Sequence, residues 1–527
     1  MRLVTAYFTG MNKKLAPELL PDNAAKTAKN CVFNSGTLKP LRSPTYVWTP
    51  TKAGEIKSIF KYKNQYWFHW LDDVDVVESP LPNDPYGRVY WTGEAQPRYT
   101  TEDLATTGGD LYPNNFLILG VPSPELPPTQ TVPSPSDPNN LQSRSYIYTF
   151  VSAYGEEGMP SDPSDLFDTT DGDSVTVNCP SSPPSGQYNI TAKNIYRRNG
   201  DSFMFVTQID ATEVEYTDTK LNVELGDEIS STFYDTPPSD MKGLIVLANG
   251  CLAGFTKTEL CLSEPYLPHA WPSANRMPFE GEICSIKAFG ASILVTTKHS
   301  KPYIVTGTVP SLMAREQFEI GHACMSKRGT VDMGYHVVYP SPYGLVLVGT
   351  GQASLITSDV IDELEWIDFA HPDTLLGTMY MGKYIGFYTN GSEQGGFIFD
   401  PKAKNLSLLD LYATAAYNDP ATGELFLVVN NEIVKFDSGE YLQAEWESKP
   451  FTFGQAFNFS RGRVYAKNFP VSIDLYHDDE LFFSKNVPND KPFTLPLKGL
   501  SNKYSYKITT TNEVKRVSFA TSILELG

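Results

Sequence analysis

Short runs of alternating apolar and polar residues, cut by tight turn signals, dominate this chain. IKSIFKYKNQYWFHW reads as two strands hinged at Lys63-Asn64-Gln65, and GRVYWTG as a further strand. MKGLIVLANGCLAGFTKTELCLSEP places two apolar strands around Ala248-Asn249-Gly250, and EICSIKAFGASILVTTKHSKPYIVTG repeats the pattern around Gly290. YHVVYPSPYGLVLVGTGQASLIT, TMYMGKYIGFYTN with GGFIFDPKAKNLSLLDL, and TAAYNDPATGELFLVVNNEIVKFD follow. Each unit is strand, tight turn, strand and third strand, recurring about every 35–45 residues, the period of propeller blades. From Trp446 onward the strands lengthen and predict a terminal sandwich-like sheet. LPDNAAKTAKNC (20–31) reads as a short Ala-rich helix capped by Asp22 or Asn23, and Asn34-Ser35-Gly36 as a hairpin turn.

One segment breaks the blade pattern. Residues 121–140 hold seven prolines, which cannot donate ladder hydrogen bonds, and predict an extended linker. Regular short strands with turns then occupy about 100 residues, the signature of a small sandwich, until Pro237-Pro238. The expected organisation is therefore all-β. Residues 1–50 form an N-terminal helix-hairpin segment, 51–120 the first part of a β-propeller, and 121–140 the linker. Residues 141–237 form an inserted fibronectin III or Ig-like sandwich, 238–445 the remainder of the propeller, and 446–527 a C-terminal β-rich region.

Composition supports this reading. The chain has 527 residues, enough for several cores, with 30 Tyr, 29 Phe, 40 Pro and 38 Gly. The formal net charge is −19. Residues 150–240 contain 17 acidic and 4 basic residues, a net of −13, whereas 446–527 carry 11 basic against 8 acidic, +3. The acidity belongs to the insertion. An acidic chain is a poor candidate for gripping nucleic acid. No secretory signal and no bilayer-length apolar run is visible, so a soluble protein made in a cytoplasm is expected.

Candidate chemistry is sparse. The six cysteines form no CxxC pair and read as buried small hydrophobes. Gly349-Thr350-Gly351 has no helix after it and reads as a turn rather than a phosphate cradle. No Ser stands in a GxSxG elbow, and the seven histidines are scattered. Arg197-Arg198 lie in the acidic segment, far from an arginine cluster of sialidase type. Asp362, Glu363 and Glu365 read as a solvated face rather than a glycosidase pair. Asp165, Asp168, Asp171 and Asp173 supply hard oxygens suited to calcium but lack EF-hand spacing, so a solvated loop is favoured. Tyr66–Trp70 carries aromatics on both strand faces and reads as buried on both sides rather than as a sugar platform. No catalytic, cofactor-binding or metal residue is therefore assigned, and no enzyme activity or cofactor is expected.

Several stretches resemble tail proteins of short-tailed bacteriophages, in particular the tail nozzle (tail tubular protein B-like) family. The similar stretches are LPDNAAKTAKNCVFNSGTLKPLRSP, NGCLAGFTKTELCLSEPYLPHAWP (249–272), WESKPFTFGQAFNFSRGRVYA and the closing NEVKRVSFATSILEL. The resemblance implies a propeller nozzle in the virion tail, six copies forming a ring below the portal-adaptor. Fibres or spikes attach nearby, and DNA passes through the lumen without specific binding or membrane insertion. The acidic insertion is expected on the periphery of such a ring. The competing reading is a host-surface or glycan-binding propeller adhesin, with a propeller glycosidase behind it.

Overall fold

The computed structural model describes residues 1–319, 321–349, 351–497 and 499–526. The chain divides into two compact units, Met1–Leu71 with Leu294–Ile304 and Glu316–Gly527, and Asp72–Ile293 with Val305–Arg315. The fold is all-β: propeller blades, an inserted sandwich and a C-terminal β-rich region.

In the second unit, Asp75–Glu78, Val89–Gly93, Ala95–Thr100 and Leu117–Ile118 form one four-stranded antiparallel meander. Lys242–Val246, Leu252–Phe255, Glu259–Leu262 and Arg276–Pro278 form another. The opening strands of the two meanders lie side by side, tied by Gly243 N donating to Asp75 Oδ2 at 3.1 Å and Leu244 N to Thr92 Oγ1 at 3.2 Å. Packing first strand against first strand is how propeller blades meet.

The inserted sandwich also belongs to this unit. Tyr146–Ser152, Ile190–Asn199 and Ser202–Asp210 make one sheet. Thr129–Thr131, Val175–Asn178 and Glu215–Asp218 make the other. Tyr146, Tyr148, Phe150, Val175, Val177, Ile195 and Val206 fill the space between them. The expected linker of 121–140 is thus partly strand. Thr129–Thr131 lies between Pro128 and Pro133 and needs only three ladder positions, and its place at the sheet edge tolerates flanking prolines. The insertion's entry and exit meet: a Cβ on Gly120 would come within 2.9 Å of both Pro237 and Thr236.

In the first unit, meanders begin at Val331–Asp332, Leu376–Tyr380 and Ala415–Asn418. Their opening strands again lie side by side, followed by the hairpin Ser58–Tyr62/Tyr66–Trp70. The meander that starts at Ala415 is completed by Thr45–Trp48, which pairs with Glu432–Lys435 far along the sequence. Burial of every residue from Trp67 to Trp70 bears out the two-sided reading of that strand. Trp67 packs on Phe426 and Phe68 on Tyr62.

Residues 20–31 are not a helix. Ala25–Lys29 is a strand between Asn405–Leu409 and Ala444–Ser448, and only a 3-10 turn, Pro17–Leu19, precedes it. Alanine favours helices in isolation, but here Ala25 and Ala28 are buried in a sheet, and tertiary pairing overrides the local preference. The hairpin expected around Asn34–Gly36 is present, with Cys31–Val32 paired to Lys39–Pro40. The first 50 residues are accordingly not a separate segment. Arg2–Thr5 pairs with Val514–Ala520, and Ala25–Lys29 with Ala444–Ser448, so the C-terminal region is built from both ends of the sequence. Its core includes Leu3, Phe8, Trp446, Phe459, Val464, Tyr506 and Phe519.

Candidate functional site

A buried polar cluster joins the first meander of the second unit to the insertion. The turn Asn83-Asp84-Pro85-Tyr86-Gly87 feeds the strand Val89–Gly93, and it places Asp84 four residues before Arg88. Arg88 Nε donates to Asp84 Oδ2 at 2.7 Å, and Arg88 Nη1 to Glu156 Oε1 at 2.6 Å. Glu156 lies in the Gly/Pro turn after the insertion's first long strand, and Ser152 Oγ accepts from its N–H at 3.2 Å. Tyr86 and Tyr154 flank the guanidinium, their ring centres 5.5 and 5.8 Å away, a cation–π arrangement.

His269 comes from the NGCLAGFTKTELCLSEPYLPHAWP stretch and brings its Nδ1 to 3.8 Å from Glu156 Oε1. That is too long for a hydrogen bond. Burial, reinforced by the Arg88 charge, lowers the imidazole pKa to about 4, so at neutral pH the pair is not ionic. Burial opposes the Arg88 charge too, but Asp84 and Glu156 outweigh it and hold the guanidinium above its ordinary range. Burial raises the Glu156 pKa despite the arginine.

The 249–272 stretch is held by its own backbone and side chains. Tyr266 N donates to Gly250 O and Glu264 N to Ala270 O, both at 2.9 Å. Trp271 is buried, with its Nε1 on Pro268 O at 2.8 Å, and Asn275 Nδ2 donates to Glu264 Oε1 at 2.9 Å. Trp271 N and Ser273 N bind the backbone and carboxylate of Asp235, at the insertion's exit.

The acidic run is dispersed. Asp168 accepts from Ser143 Oγ at 2.5 Å, Asp171 pairs with Arg144 at 2.5 Å, and Asp173 accepts from Thr170 N at 2.9 Å and Thr169 Oγ1 at 3.0 Å. Asp165 is exposed, and its carbonyl accepts from Gln130. Among the described residues no group of three His, Cys, Asp or Glu is placed to hold a metal ion. Arg197 is fully buried against Asp218 at 2.8 Å, and Asp218 also accepts from Tyr146 Oη at 2.7 Å. Asp362 caps a helix, Glu363–Ala370, and Glu365 pairs with Lys13 at 3.1 Å. All six cysteines are buried. Gly349 and Gln352 face each other across a hairpin turn, and Thr350 lies outside the described residues.

Sequence reasoning missed Arg88, Glu156, Asp84, Arg144 and Asp218. The Asp84/Arg88 spacing is a weak signal, and nothing local marks Glu156 as buried.

No family model matches the chain, and no curated protein matches it. Among solved structures, BamB from Moraxella catarrhalis aligns at 9% identity over 75% of this chain and 96% of its own, with a TM-score of 0.33. Virginiamycin B lyase from Staphylococcus aureus aligns at 9% identity over 69% and 99%, with a TM-score of 0.28. BBS1N in complex with ARL6DN aligns at 11% identity over 50% and 84%, with a TM-score of 0.26. Likeness this slight carries no inference about activity. Among the described residues no helix is long and apolar enough to cross a membrane.

Proposed function

We propose that this chain is a structural subunit of the tail of a short-tailed bacteriophage, six copies forming the nozzle below the portal-adaptor. The observation that carries a structural role is how the buried polar groups are spent. Arg88 bonds Asp84 and Glu156, Arg197 bonds Asp218, and Arg144 bonds Asp171, and the contacts to Glu156, Asp218 and Asp171 join separate segments. Buried ion pairs of this kind fix which segments meet. The stretch that most resembles the nozzle family, 249–272, spends its polar groups on its own loop and on Asp235 in the same way. Assignment to a phage tail rests on the sequence resemblance. Electron microscopy of particles carrying the protein tests it: a six-fold ring with an axial channel below the portal is expected, and a single copy or a three-fold ring rejects it.

A glycan-binding propeller is the second reading. Glu55, Gln394, Asp410, Tyr412, Asn430 and Asn431 line an open hollow of about 490 Å³ with an aromatic ring and several amide and carboxylate groups. Sugar sites use that mixture. Glycan-array binding lost in Tyr412→Ala favours this reading.

A further inference from the structure

The C-terminal region presents a basic surface with exposed aliphatic side chains at one end. In the sheet of Arg2–Thr5, Val514–Ala520 and Arg461–Ala466, the buried Leu3, Val464, Val517 and Phe519 point to the core. Strand alternation therefore puts Arg2, Arg461, Arg463 and Arg516 together on the opposite face. Arg463 lies over Tyr465 at 4.3 Å and donates to the Asp490 carbonyl at 2.8 Å, while Arg461 donates to the Thr494 hydroxyl. Among the described residues neither Arg461 nor Arg463 has a carboxylate partner. Leu497 and Leu500 follow Thr494, and Ile523 and Leu524 follow Ala520, where both strands leave the Arg461 end of this sheet. These are large aliphatic groups in water: Leu497 is 82% and Leu524 91% exposed. Apolar side chains gathered beside charge mark interaction surfaces.

The insertion offers the complement. Residues 226–229 run along its edge strand Ser202–Asp210, with Gly226 N donating to Phe205 O at 2.8 Å and Ile229 N to Phe203 O at 3.0 Å. Glu224, Asp227 and Glu228 are exposed along this edge, and the flanking Val223 and Phe233 are 87% and 72% exposed. Asp227 and Glu228 have no cationic partner among the described residues. Residues 150–240 carry −13 and residues 446–527 carry +3.

We infer that the basic, leucine-rimmed end of the C-terminal region binds the acidic edge of the insertion of a second copy of this chain. The inference rests on the reading that the protein assembles from several copies, and it assigns the two surfaces that meet. The contact is heterologous, one patch on a different patch, the kind that closes into rings when the rotation allows. Opposite charges orient the approach, and the leucines with Val223 and Phe233 supply the apolar centre.

The test uses the full chain in sedimentation velocity at low and high salt. The wild type is expected to self-associate, more weakly as salt rises. R461E/R463E and E224K/D227K/E228K are each expected to associate at least about tenfold more weakly, and their mixture to recover association. Unchanged thermal melting of both variants shows that each folds. Self-association unmoved by both variants overturns this interface and leaves the nozzle reading standing. A wild type that stays monomeric overturns the interface, and the particle image then decides the nozzle reading separately. A labelled DNA duplex that binds the wild type, is lost in R461E/R463E and leaves association unaltered makes the face a polyanion surface and also overturns the inference.

Discussion

His269 shows how a single buried group couples the tertiary structure to pH. Its folded pKa of about 4 lies below the unfolded imidazole value of 6.5. Above pH 6.5 both states are neutral and the residue contributes no pH dependence. As pH falls from 6.5 towards 4 the unfolded chain takes up a proton that the folded chain refuses, so stability falls, by up to about 3 kcal/mol over the window. Glu156 acts in the other direction. Its pKa is raised, so between the ordinary carboxyl range and its folded value the folded state holds the extra proton and gains stability as pH falls. His269→Gln removes the first effect and leaves the second. Urea midpoints at pH 7 and pH 4.5 are expected to show the variant losing less stability on acidification than the wild type. A wild-type-to-variant difference that does not change with pH rejects this account.

The hairpin at Asn249-Gly250 was legible because its demand is local. Gly250 has φ +82°, and a Cβ there would lie 2.5 Å from the Tyr266 ring. Gly250→Ala must therefore take a left-handed backbone and displace Tyr266, at a cost of about 1–2 kcal/mol for the backbone alone. The expected result is a lower melting temperature; a melting temperature equal to the wild type's would show that the turn relaxes. Local legibility fails for Ala25–Lys29. Its alanines read as helix formers, and the deciding partners, Trp446 and Leu408, lie about 400 residues away. The three-residue strand Thr129–Thr131 was hidden by flanking prolines for the same reason: the strand Val175–Asn178 that pairs with it is distant in sequence.

The two ends of the insertion meet, the geometry expected of a module. Gly120 touches Thr236 and Pro237, so a short bridge spans the gap, as for domains whose termini are close. Replacing residues 122–234 by a short Gly/Ser linker, which keeps Asp235 on Trp271 and Ser273, is expected to leave the remainder melting cooperatively. The Glu156 contact is lost, but its removal opens Arg88 to water, and Asp84 remains. Calorimetry showing a broad, non-cooperative transition would make the insertion part of the core.

Strand period, turn glycines and proline breaks, all properties of neighbouring residues, were enough to determine an all-β chain with blade-like meanders and an acidic sandwich set between them. They also marked Trp67–Trp70 as buried on both faces, because aromatics at successive positions leave no polar side. Tertiary structure alone decided what depends on distant partners. It carried Arg2–Thr5 and Ala25–Lys29 into the C-terminal region and Thr45–Trp48 into the meander that starts at Ala415. It also turned Arg88 and Glu156, ordinary surface residues by their local sequence, into a buried pair. The reason is physical: a residue's backbone preference acts within a few positions, whereas desolvation and strand pairing depend on what the folded chain brings against it.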